Sequence, residues 1–564
     1  MTTPHQILKE YFGHSDFRPG QLELIEAILD GRDAFGIMPT GGGKSICYQV
    51  PALLLSGITL VISPLISLMQ DQIYSLKQNG IDAAFINSQL TDPQIDKVLN
   101  NARLGLYKII YVAPERIQSS KFLDFCKNSN ISFVAVDESH CVSQWGQDFR
   151  PSYSKIPEFV SNFRNRPIIG AYTATATHAV KTDVVELLNL KNPTIVQNSF
   201  DRSNLKFEVI QPDDRFKTLV HLLKSHKNEY GIIYCSTRKT VNTLYENLRR
   251  LKYSVGMYHA GMGDAERKQA QDDFIFDRTN IIIATNAFGM GIDKSNVSFV
   301  IHYNMPKDIE SYYQEAGRAG RDGSDASCTL LYNGQDVMTN LYFIDNDKDK
   351  QYESDQQKLA LQTIARQRLK TMQRYCTTNS CLRNYILRYF GEVRDNKCDN
   401  CGSCDIETLD YDITILSQKI LSCVARTNQI YGINTIVGIL RGSKDKKILS
   451  SGLDRQTTYG ICKESETILK STINHLIDYD YLYQTDDKFM SLRLGEKSNE
   501  VLKTKSPLSM TIASDDINNK SNKPKKRSRS FEYDFDSDET NTYIEKRFFV
   551  KCWGVATPPI ENIF

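Results

Sequence analysis

The segment Gly36–Gln49, GIMPTGGGKSICYQ, contains residue types that can hold a polyphosphate. Consecutive glycines let backbone N–H groups approach phosphate oxygens, the lysine can reach the β and γ phosphates, and the serine hydroxyl can ligate Mg²⁺. The generic phosphate-loop pattern has glycine where Met38 stands, so a glycine-rich turn without a ligand is the alternative. An apolar strand before the loop and a helix-compatible run after it favour nucleotide binding. The candidate nucleotide-binding residues here are Thr40, Gly41, Gly42, Gly43, Lys44 and Ser45.

Two adjacent carboxylates follow a second apolar run, FVAVDESH. At the end of a buried strand, Asp137 can hold Mg²⁺ together with Ser45, and Glu138 can orient and deprotonate an attacking water. A lone Asp-Glu pair is by default a solvated loop pair. Its position after a strand of buried type, downstream of Lys44, favours the catalytic interpretation.

The segment YYQEAGRAGRDG supplies arginines that could act on the same phosphate. Gly317 and Gly320 keep the turn slim while Arg318 and Arg321 project. A guanidinium brought across a cleft between domains can neutralise charge on a transferred phosphoryl group. We include Gln314, in the same segment, among the candidate catalytic residues. A solvated basic turn is the alternative.

Four of the 13 cysteines gather near one position in the chain. Their spacing is C-x16-C-x2-C-x2-C, and thiolates in such a pattern can surround one Zn²⁺ tetrahedrally. Four sulfurs leave no position for a reactive water, so this zinc is expected to stabilise structure. Cys376 is an alternative first ligand. The candidate ligands are Cys398, Cys401 and Cys404 together with Cys381 or Cys376.

The segment SQWGQDFRPSYSK combines aromatic and basic side chains. Aromatic faces stack on unpaired bases at roughly 1–3 kcal/mol each, whatever the sequence, and cations meet the phosphates. The segment is too polar and too interrupted by proline for a buried helix, although aromatics folded into a core remain the alternative. The candidate DNA-binding residues are Trp145, Phe149, Arg150 and Tyr153.

Alternating apolar and amphipathic stretches must position these groups. Short apolar runs from Ala34 to Tyr172 predict a parallel sheet with crossover helices, and a similar series follows Phe207. We therefore predict two tandem α/β lobes, residues 1–206 and 207–344. With 564 residues the chain is expected to contain roughly three to five folding units.

The remaining sequence predicts smaller modules. Residues 345–407 are predicted to form a helical, metal-pinned module. Residues 408–505 contain helical stretches and two alternating segments around Asp486 and Asp487, which predict a hairpin and a winged helix. Residues 506–564, with a basic run and then an acidic run, are expected to be a mostly disordered charged tail.

Composition limits the classes of protein. Lys plus Arg number 69 and Asp plus Glu 67, a formal charge of +2, so a polyanion partner must be bound by local basic patches. No basic segment precedes an apolar run at the N-terminus, and no stretch of about 18 apolar residues occurs. We expect a soluble intracellular protein without membrane contact.

Taken together, these motifs resemble those of a known family. The segments FRPGQ, MPTGGGKS, SPLISLMQDQ, APER, DESH, SQWGQDFRPSY, TATAT, YHAGM, ATNAFGMGIDK and QEAGRAGRDG are similar in order and spacing to the motifs of RecQ helicases of superfamily 2. The resemblance runs from about residue 5 to about residue 500. It implies two RecA-like lobes, a zinc module and a RecQ C-terminal winged helix.

The resemblance also implies roles for particular residues. Gln21 would read the adenine edge, Arg18 would stack on its face with His14 opposite, and His140 would link the nucleotide site to DNA. His14 as a simple surface residue is the alternative. Cys381 opens the segment CLRNYILRYFGE, which looks like the RecQ zinc-binding segment, so the resemblance favours Cys381 over Cys376 as the first ligand. The zinc ligands that it implies are Cys381, Cys398, Cys401 and Cys404.

The activity implied by the family is ATP-dependent 3′ to 5′ translocation on single-stranded DNA and unwinding of duplex or forked DNA in recombination, repair and replication. ATP, Mg²⁺ and Zn²⁺ would be the cofactors. An RNA helicase of the same superfamily and a non-catalytic DNA-binding scaffold are the alternatives. The aromatic segment, the zinc segment and the winged helix argue against RNA, and the intact Lys44 and Asp137 argue against a decayed motor.

Partners and location follow less directly from the sequence. We expect a monomer that binds single-stranded and duplex DNA and that could meet single-stranded-DNA-binding or recombination proteins. The basic run 523–529 could be a nuclear import signal or a nonspecific DNA tether, and a solubilising tail is the alternative. The expected location is the nucleus in a eukaryote, and otherwise the cytoplasm or nucleoid.

Overall fold

The first lobe is built on a fully parallel sheet. The computed structural model describes residues 2–288, 294–346, 354–394, 397–406, 408–485, 491–503 and 507–513. The sheet has seven strands in the order β3-β4-β2-β5-β6-β1-β7. The strands are β1 (Ala34–Ile37), β2 (Ile58–Ile62), β3 (Ala83–Ile86), β4 (Ile109–Val112), β5 (Ile131–Val136), β6 (Ile168–Thr173) and β7 (Thr194–Gln197).

Both faces of this sheet are buried, which explains its nearly continuous apolar strands. Along β5, Val134 and Val136 join one core cluster while Phe133 and Ala135 join another. The covering helices are α1 (Pro4–Phe12), α2 (Gln21–Leu29), α3 (Lys44–Leu54), α4 (Ile66–Gln78), α5 (Asp92–Arg103), α6 (Ser120–Lys127), α7 (Ile156–Ser161) and α8 (His178–Leu187).

The second lobe repeats this architecture, as the sequence predicts. Its six parallel strands have the order β10-β11-β9-β12-β13-β8. They are β8 (Leu205–Ile210), β9 (Tyr230–Tyr234), β10 (Val255–Tyr258), β11 (Ile281–Ala284), β12 (Val297–His302) and β13 (Ala326–Leu331). Its helices are α9 (Arg215–Ser225), α10 (Arg238–Arg250), α11 (Asp264–Ile275), α12 (Ile309–Ala316) and α13 (Gly334–Asp345).

Two strands differ from the sequence-based prediction. The polar strand β7 was not predicted, and β8 begins at Leu205, before the predicted lobe boundary at residue 207. Strand β8 pairs along its whole length with β13, so it belongs to the second sheet. The first lobe therefore ends before residue 205.

The zinc module consists of α14 (Asp355–Thr377), α15 (Leu382–Tyr389) and the cysteine segment that follows them. It docks on the outer strand of the second sheet, where Gly402 N–H donates to the Phe207 carbonyl at 2.8 Å. The module therefore rests on the lobe that carries the candidate arginines.

The C-terminal domain has its own core of helices and two short sheets. Strands β15 (Leu482–Gln484) and β16 (Leu492–Leu494) form the predicted antiparallel hairpin, whose tip at Asp486 and Asp487 lies outside the described residues. The other elements are β14 (Thr408–Asp412), α16 (Thr414–Arg426), α17 (Ile433–Leu440), α18 (Lys446–Ser450), α19 (Glu466–Asp478), α20 (Ser498–Lys503) and β17 (Ser509–Ala513).

The predicted start of the tail at residue 506 is wrong. Strand β17 pairs antiparallel with β14, and Met510 is 5% exposed. The C-terminal domain is thus closed by a strand that the sequence analysis assigned to the tail. Residues 514–564, including the basic run 523–529, lie outside the described residues.

Among the described helices, none combines the length and the apolar character that crossing a membrane requires.

Candidate nucleotide and nucleic-acid site

The glycine-rich loop leaves the carboxyl end of β1 and leads directly into α3 at Lys44. Gly41 and Gly43 have φ angles of +81° and +77°, which glycine adopts without strain. At Gly42 a Cβ atom would lie 2.8 Å from the Pro39 carbonyl oxygen. The glycines therefore suit the tight path of this turn, in which the Gly42 N–H donates to the Pro39 carbonyl at 2.8 Å.

Met38 explains why this loop can lack the first glycine of the generic pattern. Its side chain is fully buried in the first-lobe core, and the Cys47 and Met38 sulfur atoms are 3.6 Å apart. Met38 directly follows β1, donates its N–H to the Thr173 carbonyl at 3.0 Å and packs inward, so this position does not need the conformational freedom of glycine.

The FRPGQ segment lies against this loop. Gln21 Nε2 donates to the Gly43 carbonyl at 3.0 Å, and the Arg18 guanidinium donates to the Gly41 carbonyl. Gln21 Oε1 accepts from the Arg18 backbone N–H at 2.8 Å, and the His14 side chain is exposed. The structure thus brings Arg18 and Gln21 to the loop, while the adenine-binding roles of these residues and of His14 stay predictions.

The two carboxylates lie where β5 ends. Burial and the neighbouring Glu138 charge raise the pKa of Asp137 to about 7, and Lys44 opposes this shift. Lys44 Nζ is 4.0 Å from Glu138 Oε1. A buried carboxylate with a raised pKa gains from a nearby cation, so Asp137 fits a metal ligand.

Glu138 itself has an unusual backbone conformation. Its φ of +46° lies in the left-handed region, which costs a residue with a Cβ roughly 1 kcal/mol. The conformation turns the carboxylate toward Lys44 and His140. Such local strain at a candidate catalytic residue is consistent with a positional role.

His140 connects this pair to the aromatic segment. Its Nδ1 lies 2.8 Å from Thr173 Oγ1 and 3.3 Å from Glu138 Oε2, and its Nε2 lies 3.4 Å from Gln147 Nε2. Burial lowers the pKa of His140, so the imidazole is neutral near pH 7. The contacts agree with the predicted link between the nucleotide site and the DNA-binding segment.

The arginine loop of the second lobe reaches the phosphate loop of the first. Thr40 Oγ1 donates to the Gly317 carbonyl at 3.3 Å, and a Cβ on Gly317 would lie 2.4 Å from that hydroxyl. A Cβ built on Gly41 would lie 3.6 Å from Arg321 Cγ. Glycine at position 317 therefore allows the two loops to meet, whereas a Cβ at position 41 would make only an ordinary van der Waals contact with Arg321.

The other two candidate residues of this segment have different environments. Gln314 Nε2 donates to Thr175 Oγ1 at 3.3 Å across the lobes. Arg318 is 7% exposed and hydrogen-bonds with Tyr234 inside the second lobe. The structure therefore brings Gln314 and Arg321 to the seam between the lobes and buries Arg318 beside Tyr234 in the second lobe. The catalytic roles of all three residues stay predictions.

Arg202 is a seam residue that the sequence analysis missed. Its Nη1 donates to the Thr40 and Gly317 carbonyls at 3.2 and 3.3 Å, and its Nη2 to those of Ala319 and Gly320 at 3.1 and 2.9 Å. One guanidinium thus joins the phosphate loop to the arginine loop. The available signal was its position in SFDRSNL, between the two α/β units.

Arg383 of the zinc module fixes the segment that carries Arg202. It is 2% exposed and donates to the Leu205 carbonyl at 2.6 Å and to Asp201 Oδ1 at 2.9 Å. The zinc module therefore fixes the segment that links the two lobes.

The predicted DNA-binding residues have different environments. The Trp145 side chain is 46% exposed, and Phe149 is half-buried. Arg150 is also half-buried, with its Nη1 donating to the Pro64 carbonyl at 2.9 Å. Trp145 is exposed enough to meet a DNA strand, whereas a phosphate contact by Arg150 would require it to leave the Pro64 carbonyl and Asp148, whose Oδ2 lies 2.9 Å from Arg150 Nη2.

The assignment of Tyr153 to DNA binding is wrong. Its ring is fully buried, and its hydroxyl donates to the Asp137 carbonyl at 2.9 Å. The short 3-10 helix Pro151–Lys155 turns this side chain inward, beneath the acidic pair. Tyr153 therefore supports the backbone at Asp137 and cannot stack on a base.

The four predicted zinc ligands form one cluster. Their sulfur atoms all lie within 4.8 Å of one another, and Cys376 is not among them. The Cys401–Cys381 and Cys398–Cys404 sulfur distances are both 3.9 Å. Sulfurs about 2.3 Å from a central Zn²⁺ in a tetrahedron would be spaced about 3.8 Å apart, so the set fits zinc.

Hydrogen bonds within the cluster favour the thiolate at Cys401, whereas those from Cys398 and Cys401 raise the pKa of Cys381. The Cys381 thiol, followed by that of Cys398, holds the pKa of Cys401 well below its usual range. Backbone N–H groups of Asn384 and Asn400 donate to the Cys381 and Cys398 sulfurs at 3.5 and 3.4 Å. Such donors stabilise thiolate, the form that binds metal.

Comparisons with known families cover most of the described chain. The DEAD/DEAH box helicase model matches residues 18–183, and the helicase conserved C-terminal domain model matches 214–323. The RecQ zinc-binding model matches 334–406, and the RQC domain model matches 407–518.

Two relatives are about 40% identical to this chain over most of its length. The ATP-dependent DNA helicase RecQ of Bacillus subtilis is 41% identical over 88% of this chain and 83% of its own length. The protein of the same description from Pasteurella multocida is 40% identical over 90% of this chain and 79% of its own.

Similarity to solved structures is limited to the fold. The crystal structure of the helicase MrfA bound to DNA has a TM-score of 0.52 and 16% identity, covering 71% of this chain and 60% of that one. The sequence similarity, in contrast, extends through both lobes, the zinc module and the C-terminal domain.

Proposed function

We propose, given that this chain belongs to the RecQ family of ATP-dependent DNA helicases, that ATP hydrolysis at the seam between its lobes moves it 3′ to 5′ along one DNA strand. The chain is an ATP-dependent DNA helicase. The directed movement would separate duplex or forked DNA ahead of the strand that the lobes hold.

The contact between the phosphate loop and the arginine loop is the observation that carries this proposal. Thr40 meets Gly317, and Arg202 donates to carbonyls of both loops. Charge changes on a bound triphosphate would be felt by both lobes at once. Binding would favour the closed seam, hydrolysis would loosen it, and a strand bound across both lobes would shift with each cycle.

Each candidate residue has a proposed task in that cycle. Lys44 and the N–H groups of Gly41–Gly43 hold the phosphates, and Arg318 and Arg321 neutralise charge as the terminal phosphate leaves. Glu138 orients and deprotonates water while His140 keeps its carboxylate in place. Gln314 stabilises the closed seam through its hydrogen bond to Thr175.

The adenine end of the nucleotide would be bound by the FRPGQ segment. Gln21 lies beside the phosphate loop and would exchange its bonds with the Gly42 and Gly43 carbonyls for the base edge. Arg18 and His14 would cover the two faces of the base.

Asp137 and Ser45 are the residues that would hold Mg²⁺. When bound, the ion would supply positive charge to the phosphate oxygens. The buried Asp137, with its raised pKa, is the support for this assignment.

We extend the proposal to partners and location. The chain acts as a monomer on single-stranded and duplex DNA in recombination, repair and replication, together with single-stranded-DNA-binding or recombination proteins. The basic run 523–529 directs it to the nucleus in a eukaryote; otherwise it works in the cytoplasm or nucleoid.

The test is unwinding of duplexes that differ only in their single-stranded tail. A 3′-tailed duplex should be separated with ATP and Mg²⁺, whereas 5′-tailed and blunt duplexes should remain largely paired. Lys44→Ala serves as the inactive control. Preference for the 5′ tail would refute the polarity, and stronger ATPase stimulation by single-stranded RNA than by DNA would refute the substrate.

A further inference from the structure

The exposed Trp145 belongs to a loop that is fastened from outside its own lobe. We define the Trp145 loop as residues 144–149. Arg368 Nη1 donates to the Gly146 carbonyl at 2.9 Å, and Arg368 Nη2 donates to the Trp145 carbonyl. Lys307 of the second lobe adds a bond to the Gln147 carbonyl at 3.2 Å. The carbonyl groups of Trp145 and Gly146 thus both accept hydrogen bonds from one side chain of helix α14.

Arg368 is itself held by a buried carboxylate. Its side chain is 14% exposed, and its Nε lies 3.8 Å from Glu310 Oε1. Tyr389 donates to the same Glu310 oxygen at 2.6 Å. Helices α12, α14 and α15 therefore converge on one point that fixes the direction of the guanidinium.

Glu310 connects this point with the arginine loop. It lies four residues before Gln314 on α12, so the two side chains share one face of that helix. The arginine loop begins directly after the helix ends. Any displacement of α12 during seam opening would pull on Glu310 and on Arg368.

The other end of the contact leads to the acidic pair. A Cβ on Gly146 would lie 2.1 Å from the His140 carbonyl oxygen, so the two backbones are in tight contact. The His140 imidazole in turn lies 3.3 Å from Glu138. The Gly146 carbonyl cannot move far without moving the backbone of His140.

We propose that Arg368 is a positioning residue that couples DNA binding at the Trp145 loop to ATP turnover at the seam. This inference rests on the proposed function, because it needs DNA-stimulated hydrolysis to act on. Arg368 holds the loop backbone so that Trp145 faces the strand and DNA contact is transmitted to His140. The zinc module then takes part in energy coupling as well as in stability.

The experiment compares Arg368→Gln with Arg366→Gln. Arg366 lies on the same helix, is 41% exposed, and pairs with Asp345 away from the loop. Both variants are made in a Trp553→Phe background, which leaves Trp145 as the remaining one of 2 tryptophans. Basal ATPase, single-stranded-DNA-stimulated ATPase, melting temperature and Trp145 fluorescence are measured for each.

In Arg368→Gln we expect the stimulated kcat to fall about tenfold, since two charge-assisted bonds are lost, and basal kcat to change less than about twofold. Trp145 emission should respond less to added DNA. Arg366→Gln should match the parent in all four measurements. Arg368→Lys, which keeps a charged donor, should recover part of the stimulation.

The outcomes separate the coupling role from the alternatives. Stimulation by DNA that survives in Arg368→Gln would overturn the inference. So would a rise in basal turnover, which would mean that the contact restrains the enzyme, or equal losses of basal and stimulated rates with a lower melting temperature, which would mean that Arg368 is structural only. A parent protein without DNA stimulation would instead refute the proposed function.

Discussion

The four-cysteine cluster and the seam between the lobes are held by different kinds of contact. In the cluster, four sulfurs lie within 4.8 Å of one another and surround one metal position. At the seam, hydroxyl, amide and guanidinium donors bind carbonyl or hydroxyl oxygens, as Thr40 does with Gly317 and Gln314 with Thr175. Hydrogen bonds of this kind contribute about 1 kcal/mol each and can be exchanged, whereas metal–thiolate bonds hold the fold.

One chain can thus contain a rigid zinc module and a seam that opens and closes in a cycle. The zinc module docks on strand β8 and, through Arg383, fixes the segment between the lobes. The phosphate and arginine loops meet at the seam, where each hydrogen bond between them is weak by itself. Changes in the cluster should therefore affect folding, and changes at the seam should affect turnover.

The largest effect is expected from Cys398→Ser. Loss of one thiolate should release the metal, about one zinc per chain, and destabilise the module by on the order of 5 kcal/mol or more. Limited proteolysis and metal analysis under denaturing conditions measure this. Cys376→Ala is the matched control, since Cys376 is buried nearby but lies outside the cluster. Zinc loss in the control and not in Cys398→Ser would mean that the ligand set is wrong.

Lys44→Ala should produce the largest change at the seam. Removal of the ammonium group from the phosphate loop should lower ATP turnover roughly 10²- to 10³-fold while leaving most DNA affinity and the melting temperature intact. Steady-state ATPase and DNA-binding titrations measure the two effects. Lys77→Ala, on the exposed end of α4, is the control. A variant that hydrolyses ATP at the parent rate would contradict the site assignment.

Both regions were predictable from sequence where the signal is local. The strand–glycine loop–helix order and the cysteine spacing are short patterns, and the structure brings Lys44 near Glu138 and the four sulfurs together. The loop does not need the usual first glycine, because Met38 directly after β1 is buried in the first-lobe core.

The misses concern contacts between distant parts of the chain. Tyr153 was assigned to DNA because its neighbours are polar, but a 3-10 helix turns its ring under Asp137. Strand β17 is short, and its partner β14 lies about a hundred residues earlier. Arg202 binds backbone carbonyls. Because every residue has a backbone carbonyl, the sequence does not indicate which ones accept a hydrogen bond.

The pH dependence of Mg²⁺ binding tests the raised pKa of Asp137 near the seam. Because the pKa of Asp137 is raised to about 7, a proton competes for this carboxylate below that pH. The Mg²⁺ concentration for half-maximal ATPase should therefore rise as pH falls from 8 to 6, by up to about tenfold per pH unit below the pKa.

Mg²⁺ titrations of ATPase activity at several pH values measure this dependence. Asp82→Asn, which removes an exposed carboxylate, should leave the profile unchanged. A half-saturating Mg²⁺ concentration that is flat from pH 6 to 8 would contradict metal binding by Asp137.

The smallest effects are expected at two aromatic residues that lie close in sequence but differ in burial. Trp145→Ala should lower DNA-stimulated ATPase several-fold, since one stacking contact contributes roughly 1–3 kcal/mol, and should spare basal ATPase. Tyr153→Phe should lower the free energy of unfolding by about 1 kcal/mol through loss of its bond to the Asp137 carbonyl, with DNA stimulation retained.

ATPase assays with and without single-stranded DNA, combined with thermal melts, separate the two changes. Trp145→Phe, which keeps an aromatic face, should retain more stimulation than Trp145→Ala. Equal losses of basal and stimulated turnover in Trp145→Ala would place that ring in the core despite its 46% exposure. Trp145 is on the loop that Arg368 binds, and Tyr153 is beneath the acidic pair. If Trp145→Ala loses DNA stimulation while Tyr153→Phe loses only stability, contacts that transmit DNA binding are distinguished from contacts that maintain the fold.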